Sequence, residues 1–123
     1  MDFKDKQTIY LQIGDYVLEQ ILLGELPAGD KVPSIRELAV QLEVNPNTVQ
    51  RTYDFLQQIE IISTKRGIGY FVNDDALEKI IAYKKEQFIN VELPHFFRNI
   101  HLLNIDFEEL NERYKTYIGN NFK

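Results

Sequence analysis

Two helix-start signatures stand eleven residues apart, and they leave room for only one short helix between them. Ser34 and Glu37 follow directly on Pro33. A serine with glutamate three residues later fits a capping box, in which the hydroxyl accepts an early backbone N–H and the carboxylate reaches back to the cap's own N–H. Pro33 cannot extend a helix backwards from that point. Leu38, Ala39 and Leu42 carry the pattern on for about two turns. Glu43-Val44-Asn45-Pro46 then interrupts it. Asn45 is a strong N-cap, Pro46 is pre-shaped for a first helical position, and Val44 with Val49 fits a hydrophobic staple. The second helix has an apolar rear at Val49, Tyr53, Leu56 and Ile59 and a polar front at Asn47, Gln50, Arg51, Asp54 and Gln58.

Flanking segments complete the layout. From Gln7, Ile9, Ile13, Val17 and Ile21 recur at helical spacing, Gly24 suits a left-handed helix end, and Pro27 with Gly29 makes a turn. After the second helix come two β-branched runs, Ile61–Thr64 and Tyr70–Val72. Lys65-Arg66-Gly67-Ile68-Gly69 separates them, which reads as a hairpin with a basic tip. Asn73-Asp74-Asp75 marks a boundary, and Asp74 or Asp75 can cap the helix that follows. Its apolar stripe runs through Leu77, Ile80, Ile81, the stem of Lys84 and Phe88. Pro94 lies inside the continuing pattern, so a kink or break is expected near Leu93. Asp106 caps a last helix with Phe107, Leu110, Tyr114 and Tyr117 on one face.

Composition narrows the function. The 123 residues contain no cysteine, which excludes disulfides, thiolate metal sites and cysteine nucleophiles. No apolar run approaches the roughly 20 residues of a membrane span, and no basic-then-apolar leader opens the chain, so a cytoplasmic chain without membrane contact is expected. His95 and His101 are poorly spaced for one helix face, and Glu92 supplies no third partner, so no metal is expected. Neither a nucleophile–base pair nor a phosphate loop is present, so no enzyme and no cofactor are expected. The net charge of −5 argues against nucleic acid until the basic groups are located.

Their location reverses the argument. Two short helices, the second amphipathic, followed directly by a hairpin, are the layout of a winged helix-turn-helix. The second helix then offers Asn47, Thr48, Gln50 and Arg51 to a major groove, where amides suit adenine, guanidinium suits guanine and a threonine methyl suits thymine. Lys31, Arg36, Lys65 and Arg66 fall on the same presumed face, with Lys4 and Lys6 nearby if the N-terminal arm folds that way. Asp54 is the only acid expected beside them. Gly67 and Gly69 would let the wing backbone approach a minor groove.

Over roughly residues 8–73 the sequence resembles the GntR family of bacterial transcriptional regulators. The resemblance rests on Ile9–Ile13, Gly24–Ala39 with its Pro33-Ser34-Ile35-Arg36, Val44–Tyr53, and Arg66–Val72. The short helical tail looks like the YtrA-type branch. The resemblance implies DNA contacts from Ser34 and Arg36, from Asn45, Asn47, Thr48 and Arg51, and from the wing at Arg66, Gly67 and Gly69. Where Glu43 and Glu60 stand, the family usually has glycine at left-handed helix ends, and any other residue there costs about 1 kcal/mol. Val32 replaces the usual leucine. Other branches carry arginine where Gln50 stands, so base preference does not transfer.

The expected architecture is mainly α with a small β-hairpin: a winged helix-turn-helix over residues 1–73, then a helical dimerisation tail over 74–123. Leu77, Ile80, Ile81, Phe88, Phe96, Phe97, Ile100, Leu103, Phe107, Leu110 and Tyr114 are the expected dimer face, because some 50 residues cannot hide that many large apolar groups alone. The expected function is that of a sequence-specific regulator, a repressor that binds a palindromic double-stranded operator as a homodimer. A small-molecule effector is left open. The rival from another class is a winged-helix protein-interaction module without DNA binding, which the acidic balance would suit.

Overall fold

The computed structural model describes residues 6–122. In chain order its elements are α1 (Lys6–Leu22), α2 (Ile35–Leu42), α3 (Pro46–Gln58), β1 (Ile62–Lys65), β2 (Gly69–Val72), α4 (Ala76–Gln87), a π-helical turn (Phe88–Glu92), α5 (Leu93–Leu102) and α6 (Phe107–Asn121). The chain divides into two compact units, the first ending at Lys84 and the second beginning at Lys85.

The first unit is built on the amphipathic faces that the sequence patterning anticipates. Ile13, Val17, Leu18 and Ile21 of α1 are buried with Leu38 and Ala39 of α2 and with Val49, Tyr53 and Leu56 of α3. Ile59 packs at the margin of this core, half-buried. Strands β1 and β2 pair antiparallel, Ile62 opposite Val72 and Lys65 opposite Gly69. Ile61, Ile62 and Val72 close the core from the wing side.

Residues 29–32, which follow from the expected turn at Pro27 and Gly29, line the free edge of β2. Val32 N–H donates to Tyr70 O and Val72 N–H to Asp30 O, each at 2.9 Å, and Lys31 pairs with Phe71. Backbone groups that would stand bare at a sheet edge are thereby satisfied. The same hydrogen bonds fasten the entrance of α2 to the wing.

Ala76 and Ile80 are fully buried among the same core residues, so this unit continues past Asn73. Ile80, expected on the dimer face, is therefore a core residue and drops out of that face. Lys84 pairs with α1: its Nζ lies 3.6 Å from Asp15 Oδ1. Asn73 knots the junction. Its N–H donates to Ile61 O (2.9 Å), its amide to Glu60 O (2.9 Å), and its Oδ1 accepts from the Ser63 hydroxyl (2.7 Å).

In the second unit Pro94 neither breaks nor ends the helical path. Gln87, Glu92 and Leu93 all keep right-handed helical dihedrals, and Leu93 N–H reaches back to Phe88 O. The wider turn moves the carbonyl that the pyrrolidine ring would strike, and Pro94 falls in the first turn of α5, where its missing N–H costs nothing. Asp106 occupies the N-cap position of α6, but its side chain makes no capping bond. It acts there as a charge at the positive end of the helix dipole, with Glu108 and Glu109 in the first turn. No described residue of this unit is buried. Phe96, Phe97, Leu103, Phe107 and Tyr114 are all exposed, while Ile100 and Leu110 are half-covered.

Candidate nucleic-acid interface

Both helix starts form as their residues dictate. Ser34 N–H donates to Glu37 Oε1 (2.8 Å), and Glu37 N–H donates to Ser34 Oγ (3.0 Å). The box holds the Glu37 carboxyl below its ordinary value of 4.5, chiefly through the Ser34 backbone N–H, then the Ser34 hydroxyl and Lys31. At α3, Asn45 Oδ1 accepts from Asn47 N–H at 2.7 Å, and Pro46 takes the first helical position. Asn45 is thus occupied as a cap.

The rear of α3 fixes its front. Tyr53 is fully buried, donates from its hydroxyl to Pro33 O at 2.6 Å, and meets Tyr70 edge to face. Burial pushes that hydroxyl far above its ordinary range, with smaller contributions from Tyr70 and Glu37, so it remains a donor. Thr52, a polar residue with no signal in the periodicity, is also fully buried. Its hydroxyl lies 2.7 Å from Tyr10 O and 3.1 Å from Thr48 O. The result is a helix pinned to α1 and to the entrance of α2, with Asn47, Gln50, Arg51 and Asp54 exposed and Thr48 half-exposed.

Two of these side chains are already held. The Arg51 guanidinium lies over the Tyr10 ring, 4.1 Å from its centre. Gln50 Nε2 donates to Asp54 Oδ1 at 3.0 Å. Tyr10 carries no sequence signal for this role, because its contact with Arg51 joins residues 41 positions apart. Arg36 and Arg66 are exposed and form no ion pair among the described residues.

The wing gathers Lys31, Lys65 and Gly69. Lys65 Nζ sits 4.4 Å from the centre of the Phe71 ring, and Lys31 pairs with Phe71 through the backbone. Gly69 has φ 139°, and a Cβ there would come within 2.9 Å of Lys31 Cε. The backbone conformation is what calls for glycine, since the flexible end of Lys31 could move aside. Ile68 N–H closes a turn on Lys65 O at 2.9 Å, with Gly67 at φ 74°. Arg66 stands at the tip, beside an exposed Ile68 that the charge pattern did not single out. Glu37 joins Asp54 as an acid near the basic groups, since the Lys31 charge helps to lower its carboxyl. Both acids are engaged in hydrogen bonds. Lys4 and the side chain of Lys6 lie outside the described residues.

Among the described residues, no group of three metal-ligating side chains is placed to hold an ion, and no helix is long and apolar enough to cross a membrane.

A capped two-helix unit with an exposed polar helix front and a basic hairpin behind it defines a winged-helix DNA-binding regulator. The family model of bacterial regulatory proteins of the gntR family matches residues 9–72. The chain is 38% identical to the HTH-type transcriptional regulator YhcF of Bacillus subtilis (strain 168), over 94% of its length and 93% of the relative's. It is 34% identical to the HTH-type transcriptional repressor YtrA of the same organism, over 91% and 85%. A crystal structure of a GntR-family regulator from Bacteroides thetaiotaomicron superposes with a TM-score of 0.82 at 43% identity, covering 91% of this chain and 97% of the other. The chain belongs to the GntR family, whose members are transcriptional regulators rather than enzymes.

Proposed function

We propose that this DNA-binding regulator is a repressor that occupies a palindromic operator as a homodimer. The observation that carries the reading is α3: its rear is locked in the core while Asn47, Gln50 and Arg51 are exposed on its front. In this reading Asn47, Thr48, Gln50 and Arg51 meet base edges. Ser34 and Arg36 meet phosphates, and Lys31, Lys65, Arg66 and the glycine-bearing turn at Gly67 and Gly69 meet backbone and minor groove. Repression is supported by similarity to a chain named as a repressor.

Dimerisation through the chain beyond Lys84 is supported by the absence of any buried residue among those described there. An open groove of about 1160 Å³, lined by Phe96, Phe107, Leu110, Tyr114 and Tyr117, offers a place for a partner helix. A symmetric site asks for a two-fold protein.

The test is selection of bound sequences from random DNA with the full chain. Two inverted half-sites are the expected product, and a single unpaired half-site would remove the dimer. The acidic balance of −5 favours a second reading, a protein-docking module. Salt separates the two, because phosphate binding weakens steeply between about 50 and 200 mM salt and apolar docking does not.

A further inference from the structure

We propose that Asp54 is a positioning residue that fixes the polarity of Gln50, so that the base facing Gln50 is one that presents an amino group in the major groove. The inference rests on the proposed reading of bases by α3. Gln50 and Asp54 stand one turn apart on the exposed front of that helix, and Gln50 Nε2 donates to Asp54 Oδ1 at 3.0 Å. A glutamine amide alone has two ends of nearly equal shape, one donating and one accepting. A carboxylate only accepts, so the amide must turn its NH2 towards Asp54. Its Oε1 is thereby left as the outward end.

Among the described residues nothing else is paired with Asp54. It forms no ion pair among the described residues, and its neighbour Arg51 is drawn away over the Tyr10 ring. An unengaged acid on a DNA-facing surface would simply repel phosphate. Here it has a polar partner on the same face.

The consequence follows from the major-groove edges. Adenine offers an N6 amino donor beside the N7 acceptor, and cytosine an N4 amino donor. Guanine O6 and thymine O4 are acceptors, and against either one Gln50 Oε1 would set oxygen against oxygen. The amide hydrogen that Asp54 does not take can still reach N7, so adenine is served best and cytosine next. Without Asp54 the amide rotates freely and can offer its NH2 to guanine or thymine.

The experiment is selection from random DNA with the full-length wild type, Gln50→Ala, Asp54→Ala and Asp54→Asn. The base under Gln50 is the motif position that Gln50→Ala flattens. In the wild type, adenine or cytosine should be favoured there over guanine and thymine by about ten-fold. Both Asp54 variants should collapse that ratio to within about two-fold and leave every other position unchanged. Because both side chains are exposed, all four proteins should melt alike. A guanine or thymine preference in the wild type overturns the inference. So does an unchanged ratio in the Asp54 variants, including the case where Asp54→Ala merely tightens binding to all sequences. If Gln50→Ala flattens no position although a motif is selected, the inference falls and the DNA-reading function stands. If the wild type selects no motif, the function itself falls.

Discussion

The Arg51 guanidinium lies over the Tyr10 ring, 4.1 Å from its centre, and so ties the front of α3 to α1. The same Tyr10 receives the Thr52 hydroxyl on its backbone oxygen at 2.7 Å and meets Phe55 edge to face, with ring centres 6.2 Å apart. A planar cation on an aromatic face at an exposed site is worth about 0.5–1 kcal/mol. Tyr10→Leu should therefore weaken operator binding by roughly that amount, through a less ordered Arg51. Tyr10→Phe keeps the ring face and should bind as the wild type does. Fluorescence anisotropy on a labelled operator measures both, and wild-type affinity in Tyr10→Leu would show that the ring does not organise Arg51.

Arg51 itself discriminates between base reading and plain charge. If it contacts a base edge, Arg51→Ala should cost about 1–3 kcal/mol on the selected operator and much less on random DNA. Equal losses on the two DNAs would reduce Arg51 to a phosphate contact.

The left-handed residues give a stability prediction. Glu43 has φ 56° and Glu60 φ 65°. Glutamate in this region carries a steric cost that glycine lacks, partly offset by the larger entropy of glycine in the unfolded chain. Glu43 forms no ion pair among the described residues, so Glu43→Gly should stabilise by about 0.5–1 kcal/mol, seen as a melting point several degrees higher. Glu60 differs because its carboxylate pairs with Lys79, which holds it below and Lys79 above their ordinary values. Glu60→Gly gains at the backbone and loses that pair, so its gain should be the smaller. Equal melting shifts in the two variants would mean that the Lys79 pair contributes nothing.

Much of this was legible because it is local. The left-handed sites at Glu43 and Glu60 were legible only through the family resemblance, whereas Ser34 with Glu37 and Asn45 with Pro46 are set by residues within one helical turn. Their side chains answer to backbone groups a few positions away. What escaped is non-local. Periodicity puts Ile80 on an apolar stripe but cannot say whether its own core or a partner covers it. Nothing in residues 29–32 announces a sheet edge, because the hydrogen bonds come from β2, some 40 residues on. Tyr10 beneath Arg51 and the buried Thr52 are products of the same packing of α1 on α3. The interface is thus readable in its caps and charges, while the contacts that orient its side chains are tertiary.

Acid sensitivity should run through the capping box. The Glu37 carboxyl is depressed below 4.5 by its bonds to Ser34. A depressed carboxylate stabilises the fold fully above its unfolded value, and the contribution is lost as pH falls through the folded value. Ser34→Ala removes the hydroxyl half of the box and should cost about 1 kcal/mol at pH 7. It should also shrink the difference in stability between pH 7 and the acid side of 4.5, because part of what acid removes is already gone. Urea unfolding at both pH values measures this, and an undiminished difference would mean that the box does not govern the acid response.

The exposed aromatic groups beyond Lys84 make the most direct claim about assembly. Phe96 and Phe97 are each about half exposed, and no described side chain in that unit is buried. Apolar surface left in water at roughly 25 cal/mol per Å² favours association. Replacing both by glutamate puts charge on that face without touching the core of the first unit. The wild type should sediment as a dimer at micromolar concentration and the double variant as a monomer. The variant's binding to a single half-site should be nearly unchanged, while its advantage on the full palindrome disappears, since linking two half-sites in one protein raises avidity by about 10²–10⁴. A wild-type monomer, or a double variant that keeps its preference for the palindrome, would move the dimer interface elsewhere.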